Sequence, residues 1–123
     1  MVDRVSEDAL RQIRELADLA AATLKSHGFS LAADEFGGFI VEIDAGDDEA
    51  GGVYIKWKSP TAVSSKVTEL IRSQELKSPF LAQAAQYSSS MQKALANSLK
   101  LSGFLVDLED DMRPFGVRVI SQE

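Results

Sequence analysis

The sequence predicts an α+β fold, a two-layer sandwich in which an antiparallel sheet of about five strands carries helices on one face. Two patterns indicate this fold class. Apolar residues recur every three or four positions near the start and in the middle of the chain, which is the period of an amphipathic helix. Elsewhere apolar and polar residues alternate, as in strands covered on one side. We expect one domain over residues 1–123, with the order α-β-β-β-α-α-β-β.

The first helix is predicted over residues 6–27. Ser6 is a suitable N-cap, and Glu7 and Asp8 follow in the first turn, where the helix dipole favours negative charge. Gly28 can adopt the left-handed conformation that closes a helix. One apolar stripe runs along this segment and is expected to face the core: Leu10, Ile13, Leu16, Ala17, Ala20 and Leu24.

Residues 36–58 predict a β-hairpin. A short strand at 29–33 and a turn at Asp34 and Glu35 are expected to precede it. Alternation gives the hairpin one apolar inner face, formed by Phe39, Val41, Ile43, Val53, Ile55 and Trp57. The outer face is charged, and pairing of the two strands would bring Glu42 near Tyr54 and Lys56.

Two helices are predicted in the middle of the chain. Ser59-Pro60 and Ser78-Pro79 each combine an N-cap serine with a proline suited to the first helical position, so a helix is expected to begin at each pair. The second of these helices ends at Ser102-Gly103. Its first half is rich in Ala, Gln and Ser, and this small, weakly charged surface suits close packing against the sheet or a second copy of the chain.

A second hairpin is predicted after Gly103, with strands at 104–109 and 115–120 around a turn at 110–114. The segment Leu24–Leu31 is similar to Leu99–Val106, since both read as a helix end, a glycine, a phenylalanine and a strand. Two explanations are open: an internal duplication, or the common geometry of a helix that is connected to the following strand through a glycine.

The order of elements and the acidic composition are similar to those of the small acidic chaperones of type III secretion. The long central helical stretch departs from that pattern, as does the lack of a predicted helix after the last strand. An order of elements alone does not assign a function.

The composition narrows the classes of function. The net charge of −6 keeps the protein soluble and disfavours nucleic acid and anionic membranes as partners. The N-terminal residues are too polar for a signal peptide, and no apolar run approaches the roughly 20 residues that span a bilayer, so we expect a cytoplasmic protein. The absence of cysteine, which excludes disulfides and thiolate metal sites, agrees with that location.

No catalytic or metal-binding set is evident, so we expect neither enzymatic activity nor a cofactor. His27 is the single histidine, and its position at a predicted helix end favours a structural role. The acids at 44–49 do not have the spacing of an EF-hand loop. They and the acids at 109–111 are interpreted as solvated turns.

Three hypotheses for the function follow. The first is a non-enzymatic protein-binding domain of adaptor or chaperone type, a homodimer that favours a partner with a basic surface. Its candidate partner-binding residues are Glu42, Tyr54, Lys56 and Lys58 on the outer face of the hairpin. The second is a small-molecule-binding protein or enzyme with a pocket between helices and sheet. The third is a nucleic-acid-binding module that uses Lys56 and Lys58.

Overall fold

Three helices and an antiparallel four-stranded sheet form the fold in the computed structural model, which describes residues 7–44, 52–108 and 116–122. The strands lie in the order β1-β2-β4-β3. The acids at 45–49 and the predicted turn at 110–114 lie outside the described residues. The elements in chain order are α1 (Glu7–Ser26), β1 (Gly38–Asp44), β2 (Gly52–Lys58), α2 (Thr61–Arg72), α3 (Pro79–Leu101), β3 (Phe104–Asp107) and β4 (Gly116–Gln122).

The prediction of a strand at 29–33 is wrong. The described sheet has four strands rather than five, and the order of elements is α-β-β-α-α-β-β. This segment makes isolated bridges instead, from Leu31 to Phe39 and from Ala33 to Phe36. The chain reverses at Asp34, whose φ of 51° is left-handed, before a ladder can extend. The segment passes so close to the start of β1 that a Cβ on Gly38 would lie 2.4 Å from the Ser30 carbonyl oxygen.

The hairpin of β1 and β2 is confirmed, in a register that aligns the predicted inner faces. Phe39 lies opposite Trp57, and Val41 lies opposite Ile55. Phe39, Val53 and Ile55 are fully buried, whereas Val41 and Trp57 pack against the core from partly buried positions. Ile43 was predicted on the inner face of the hairpin. It lies near the end of β1, is 41% exposed and does not belong to the core, so this part of the prediction is wrong.

α1 and α3 contact each other and the sheet, and they bury the core between them. α1 contributes Ala17, Ala20 and Leu24, and the second half of α3 contributes Leu95, Ala96 and Leu99. The alanines let the helix backbones approach closely, while the leucines fill the space above Phe39, Phe104, Val117 and Val119. This core holds the sheet and two of the three helices.

Both helices that enter the sheet end on a glycine in the left-handed conformation, as predicted. Gly28 has φ 96° and Gly103 has φ 90°. At the end of α1 the amides of Gly28 and Phe29 donate to the carbonyls of Lys25 and Leu24, which is the Schellman arrangement. The chain therefore leaves each helix in a fixed direction, towards the sheet.

The two central helices break where the sequence predicts, between Arg72 and Pro79. The Ser78 hydroxyl accepts from the Phe80 amide, so Ser78 is the expected N-cap of α3. α2 begins one position later than predicted, because Pro60 rather than Ser59 occupies the cap position. The Thr61 amide instead donates to the Glu35 carbonyl at 3.0 Å, which replaces a side-chain cap with a backbone contact.

Candidate functional site

α2 is attached to the molecule by one side only. None of its 12 residues is buried, and among the described elements it packs against α3 alone. Val63, Val67 and Leu70 are half-buried, while Ile71 is 53% exposed. Isolated helices shorter than about 12–15 residues are marginal in water, so a helix like this depends on what its apolar side contacts.

α3 has two halves with different environments. Its buried residues all lie in the second half, from Gln92 to Leu99, where the helix packs on the sheet. Residues 79–91 contain no buried residue, and Leu81, Ala84 and Ser88 are half-buried on the side that α2 partly covers. We call α2 together with residues 79–91 of α3 the helical arm.

A groove of about 410 Å³ runs between the two helices of the arm and the end of β2. None of its lining residues is charged, and the walls combine aliphatic side chains with hydroxyl groups. β2 and the following turn contribute Trp57 and Ser59, α2 contributes Val63, Ser64, Val67 and Thr68, and α3 contributes Leu81, Ala84, Ala85 and Ser88.

One contact within the arm and one to the turn after β2 hold the arm in place. The Lys66 ammonium lies 4.4 Å from the centre of the Phe80 ring, a cation–π contact that joins α2 to the start of α3. The hydroxyl oxygens of Ser59 and Ser88 lie 3.4 Å apart at one end of the groove. These two contacts hold the helices that line the groove, and no other described element covers the groove.

Trp57 connects the groove to the core. Its ring stacks edge-on against Tyr87, with centroids 6.1 Å apart and planes at 78°. Its indole Nε1 is buried and has no hydrogen-bond acceptor, which makes it the one such side-chain atom found among the described residues. Trp57 was predicted as a core residue, and it belongs to the core only in part because one side of its ring lines the groove.

The charged face of the hairpin holds the predicted partner-binding residues, and their environments differ. Lys56 Nζ lies 2.7 Å from Glu42 Oε1, so these two side chains form the expected ion pair. Both are more than a third exposed, which limits the pair to at most about 1 kcal/mol. Lys58 is exposed at the end of β2. A partner-binding role for these residues, or a nucleic-acid-binding role for the lysines, stays a prediction.

Tyr54 differs from its neighbours on that face because its side chain is fully buried. It occupies the centre of β2, a strand flanked on both sides, and lies opposite Glu42 on β1 and Arg118 on β4. Alternation places Tyr54 on the outer face correctly but does not reveal this burial. In the present arrangement the Tyr54 side chain offers no surface to a partner.

His27 joins the ends of the two long helices. Its Nδ1 contacts the Ser98 hydroxyl, and its Nε2 lies 3.4 Å from the Ser102 hydroxyl. These contacts fit the predicted structural role, since the ring bridges α1 and α3 at their C-terminal ends. No cluster of three or more potential metal-ligating side chains occurs among residues 7–44, 52–108 and 116–122.

A pocket between helices and sheet was one of the hypotheses, but no lining residue of the groove was predicted as a site residue, because the lining residues on α2 and α3 have the helical spacing that normally indicates a core. The weakly charged first half of α3 was the useful signal in the sequence. Residues 78–92 are the longest stretch of the chain without Asp, Glu, Lys or Arg. In the structure residues 79–91 of this stretch form the part of α3 that has no buried residue, rather than the part that packs on the sheet.

Comparison with known proteins gave no match: no protein-family model, no curated protein and no solved structure is significantly similar to this chain. Within the residues that the structure describes, no helix has the length and apolar character needed to cross a membrane.

Proposed function

We propose that the protein is a non-enzymatic protein-binding domain of adaptor or chaperone type, and that it binds its partner through the groove of the helical arm. The observation that carries this proposal is the exposure of α2, an amphipathic helix that buries none of its residues. Protein partners commonly lay a helix or another apolar segment into such a groove.

The composition of the arm supports a protein partner. The centres of protein–protein interfaces are depleted in charged residues and enriched in aromatic residues and methionine. The groove has no charged lining residue, and Trp57 lies at its base in contact with Tyr87. Ile71 and Tyr87 remain 53% and 43% exposed beside it, which gives a partner two large side chains to cover.

Site-specific photo-crosslinking in the host cell tests the proposal. A photoreactive amino acid replaces Ala85, which is exposed and lines the groove, or Ala82, which is exposed on the same helix outside the groove. We expect adducts with a defined protein from position 85 and not from position 82. That protein, once purified, should bind the wild-type chain and not Ala85→Glu. Equal adducts from both positions, or none from either, would contradict the proposal.

The volume of the groove favours a second candidate, a small-molecule-binding function at the same place. Pockets for small ligands typically measure about 300–1,000 Å³, and the groove measures about 410 Å³. Aliphatic walls with hydroxyls from Ser59, Ser64, Thr68 and Ser88 suit an uncharged amphiphilic ligand. Native mass spectrometry of the chain purified from its host distinguishes the two candidates. A constant mass increment that Ala85→Glu abolishes would favour the small molecule.

A further inference from the structure

We infer that the groove of the helical arm is occupied by the arm of a second copy of this chain, so that the protein is a symmetric homodimer. This inference rests on the proposed function, since it names the protein that fills the groove. It takes the expected homodimer further by assigning the surface through which the two copies meet.

Charge favours a second copy over a basic partner. Each copy carries a net charge of −6, so two copies repel each other wherever acidic surfaces meet. The groove is lined by uncharged residues, and one wall belongs to the longest uncharged stretch of the sequence, residues 78–92. Two acidic molecules can meet there without bringing like charges together. A basic partner would instead need acidic groups, and the groove presents none.

The shape of the arm also suits self-association. In a two-fold symmetric interface the same patch must supply both the groove and the side chains that fill it. Ile71 follows Val67 by one helical turn and so lies on the row of α2 that forms the groove wall. Tyr87 contacts Trp57 at the base of the groove. Both side chains are exposed, and in the proposed dimer they enter the groove of the other copy.

Pairing of two arms would complete a packing arrangement that the single chain leaves unfinished. Two helices from each copy would form a four-helix contact around the grooves, as in a small helical bundle. The half-buried residues Val63 and Leu81 would then become interior residues of this bundle. The interface would combine aliphatic side chains such as those of the core with the hydroxyl groups of the groove walls.

Trp57 provides a direct readout, because it is the single tryptophan of the chain and lines the groove. The purified full-length chain is studied by sedimentation velocity and tryptophan emission from low to high micromolar concentration. We expect a monomer–dimer transition together with a blue shift of the Trp57 emission at the same midpoint, because the second copy excludes water from the ring.

Two matched variants locate the interface. Ala85→Glu places a carboxylate in the groove. We expect the dissociation constant of its dimer to rise at least about a hundredfold, since each copy would bury an unpaired charge. Ala82→Glu adds the same charge on the same helix outside the groove and should dimerise like the wild type. If circular dichroism shows that Ala85→Glu is unfolded, Ile71→Ser at an exposed position replaces it with the same expectation.

The possible outcomes separate this inference from the proposed function. A chain that stays monomeric at every concentration, while position 85 crosslinks to a different protein in cells, would overturn the homodimer and leave the protein-binding groove in place. A dimer that forms without a change in Trp57 emission, or that Ala85→Glu leaves intact, would place the interface elsewhere and also overturn the inference.

Discussion

Trp57 is the residue at which the core and the groove meet. Its ring packs against the core, makes a T-shaped contact with Tyr87 and lines the groove. Its buried indole Nε1 has no hydrogen-bond acceptor. A buried donor without an acceptor typically costs about 1–3 kcal/mol, so Trp57 contributes less to the stability of the chain than its size suggests.

Two substitutions at Trp57 should distinguish the contribution of the aromatic ring to stability from that of its N–H group. Trp57→Phe keeps an aromatic ring and removes the unpaired donor, so we expect the free energy of unfolding to fall by less than about 1 kcal/mol. Trp57→Ala removes the ring and should lower it by about 2–4 kcal/mol. Urea unfolding followed by circular dichroism measures both values. Equal losses for the two variants would mean that the N–H group has a partner.

Gly28 and Gly38 are both required by the fold, for different reasons. Gly28 has a left-handed φ of 96°, and a Cβ there would meet no other atom within 4 Å, so Gly28→Ala should cost about 1–2 kcal/mol of backbone energy alone. At Gly38 a Cβ would lie 2.4 Å from the Ser30 carbonyl oxygen, so Gly38→Ala must displace backbone and should cost about 2–3 kcal/mol. Thermal unfolding of both variants provides the comparison, and a larger loss for Gly28→Ala would contradict this assignment.

At the scale of the elements, α2 differs from α1 and α3 in what holds it. α1 and the second half of α3 bury leucines and alanines in the core, whereas α2 has no buried residue. Its attachment consists of half-buried contacts with α3, the Lys66–Phe80 contact and the backbone hydrogen bond from Thr61 to Glu35. The opening of α2 should therefore require much less free energy than global unfolding.

Hydrogen exchange provides the measurement for α2. In the purified chain at low concentration, amides of residues 63–72 should exchange at least about tenfold faster than those of residues 94–101, because local opening of α2 exposes little core. The second half of α3 is the internal control, since it is a helical segment held by the core. Equal protection of the two segments at low concentration would show that α3 alone is sufficient to hold α2.

At the scale of the whole molecule, the fold divides into a closed part and an open part. The closed part consists of α1, the second half of α3 and the sheet, whose order β1-β2-β4-β3 joins the two hairpins through the pairing of β2 with β4. Each hairpin follows a helix that ends on a left-handed glycine, which agrees with the similarity between Leu24–Leu31 and Leu99–Val106. The open part is the helical arm, inserted between the two helix–hairpin units.

Local patterns in the sequence were sufficient to predict most of the closed part. Alternation predicted the β1–β2 hairpin and its Glu42–Lys56 pair, and glycine and Ser-Pro signals predicted the helix ends. The strand predicted at 29–33 was wrong because a tight turn, rather than composition, limits its pairing.

The groove could not be predicted in the same way. Helical periodicity identifies an apolar side of a helix without telling whether another element covers it. Val63 and Val67 of α2 therefore have the spacing of core residues, although they line an open groove. Likewise, alternation gives the face of the sheet on which Tyr54 lies but not its burial.

The central claim is that the groove of the helical arm binds a protein, and the crosslinking yield at Ala85 relative to Ala82 tests it most directly. The two positions share a helix, a residue type and an exposed environment, and they differ in that Ala85 lines the groove. We predict protein adducts at position 85 and none at position 82. Equal yields at the two positions, or adducts at position 82 alone, would contradict the claim.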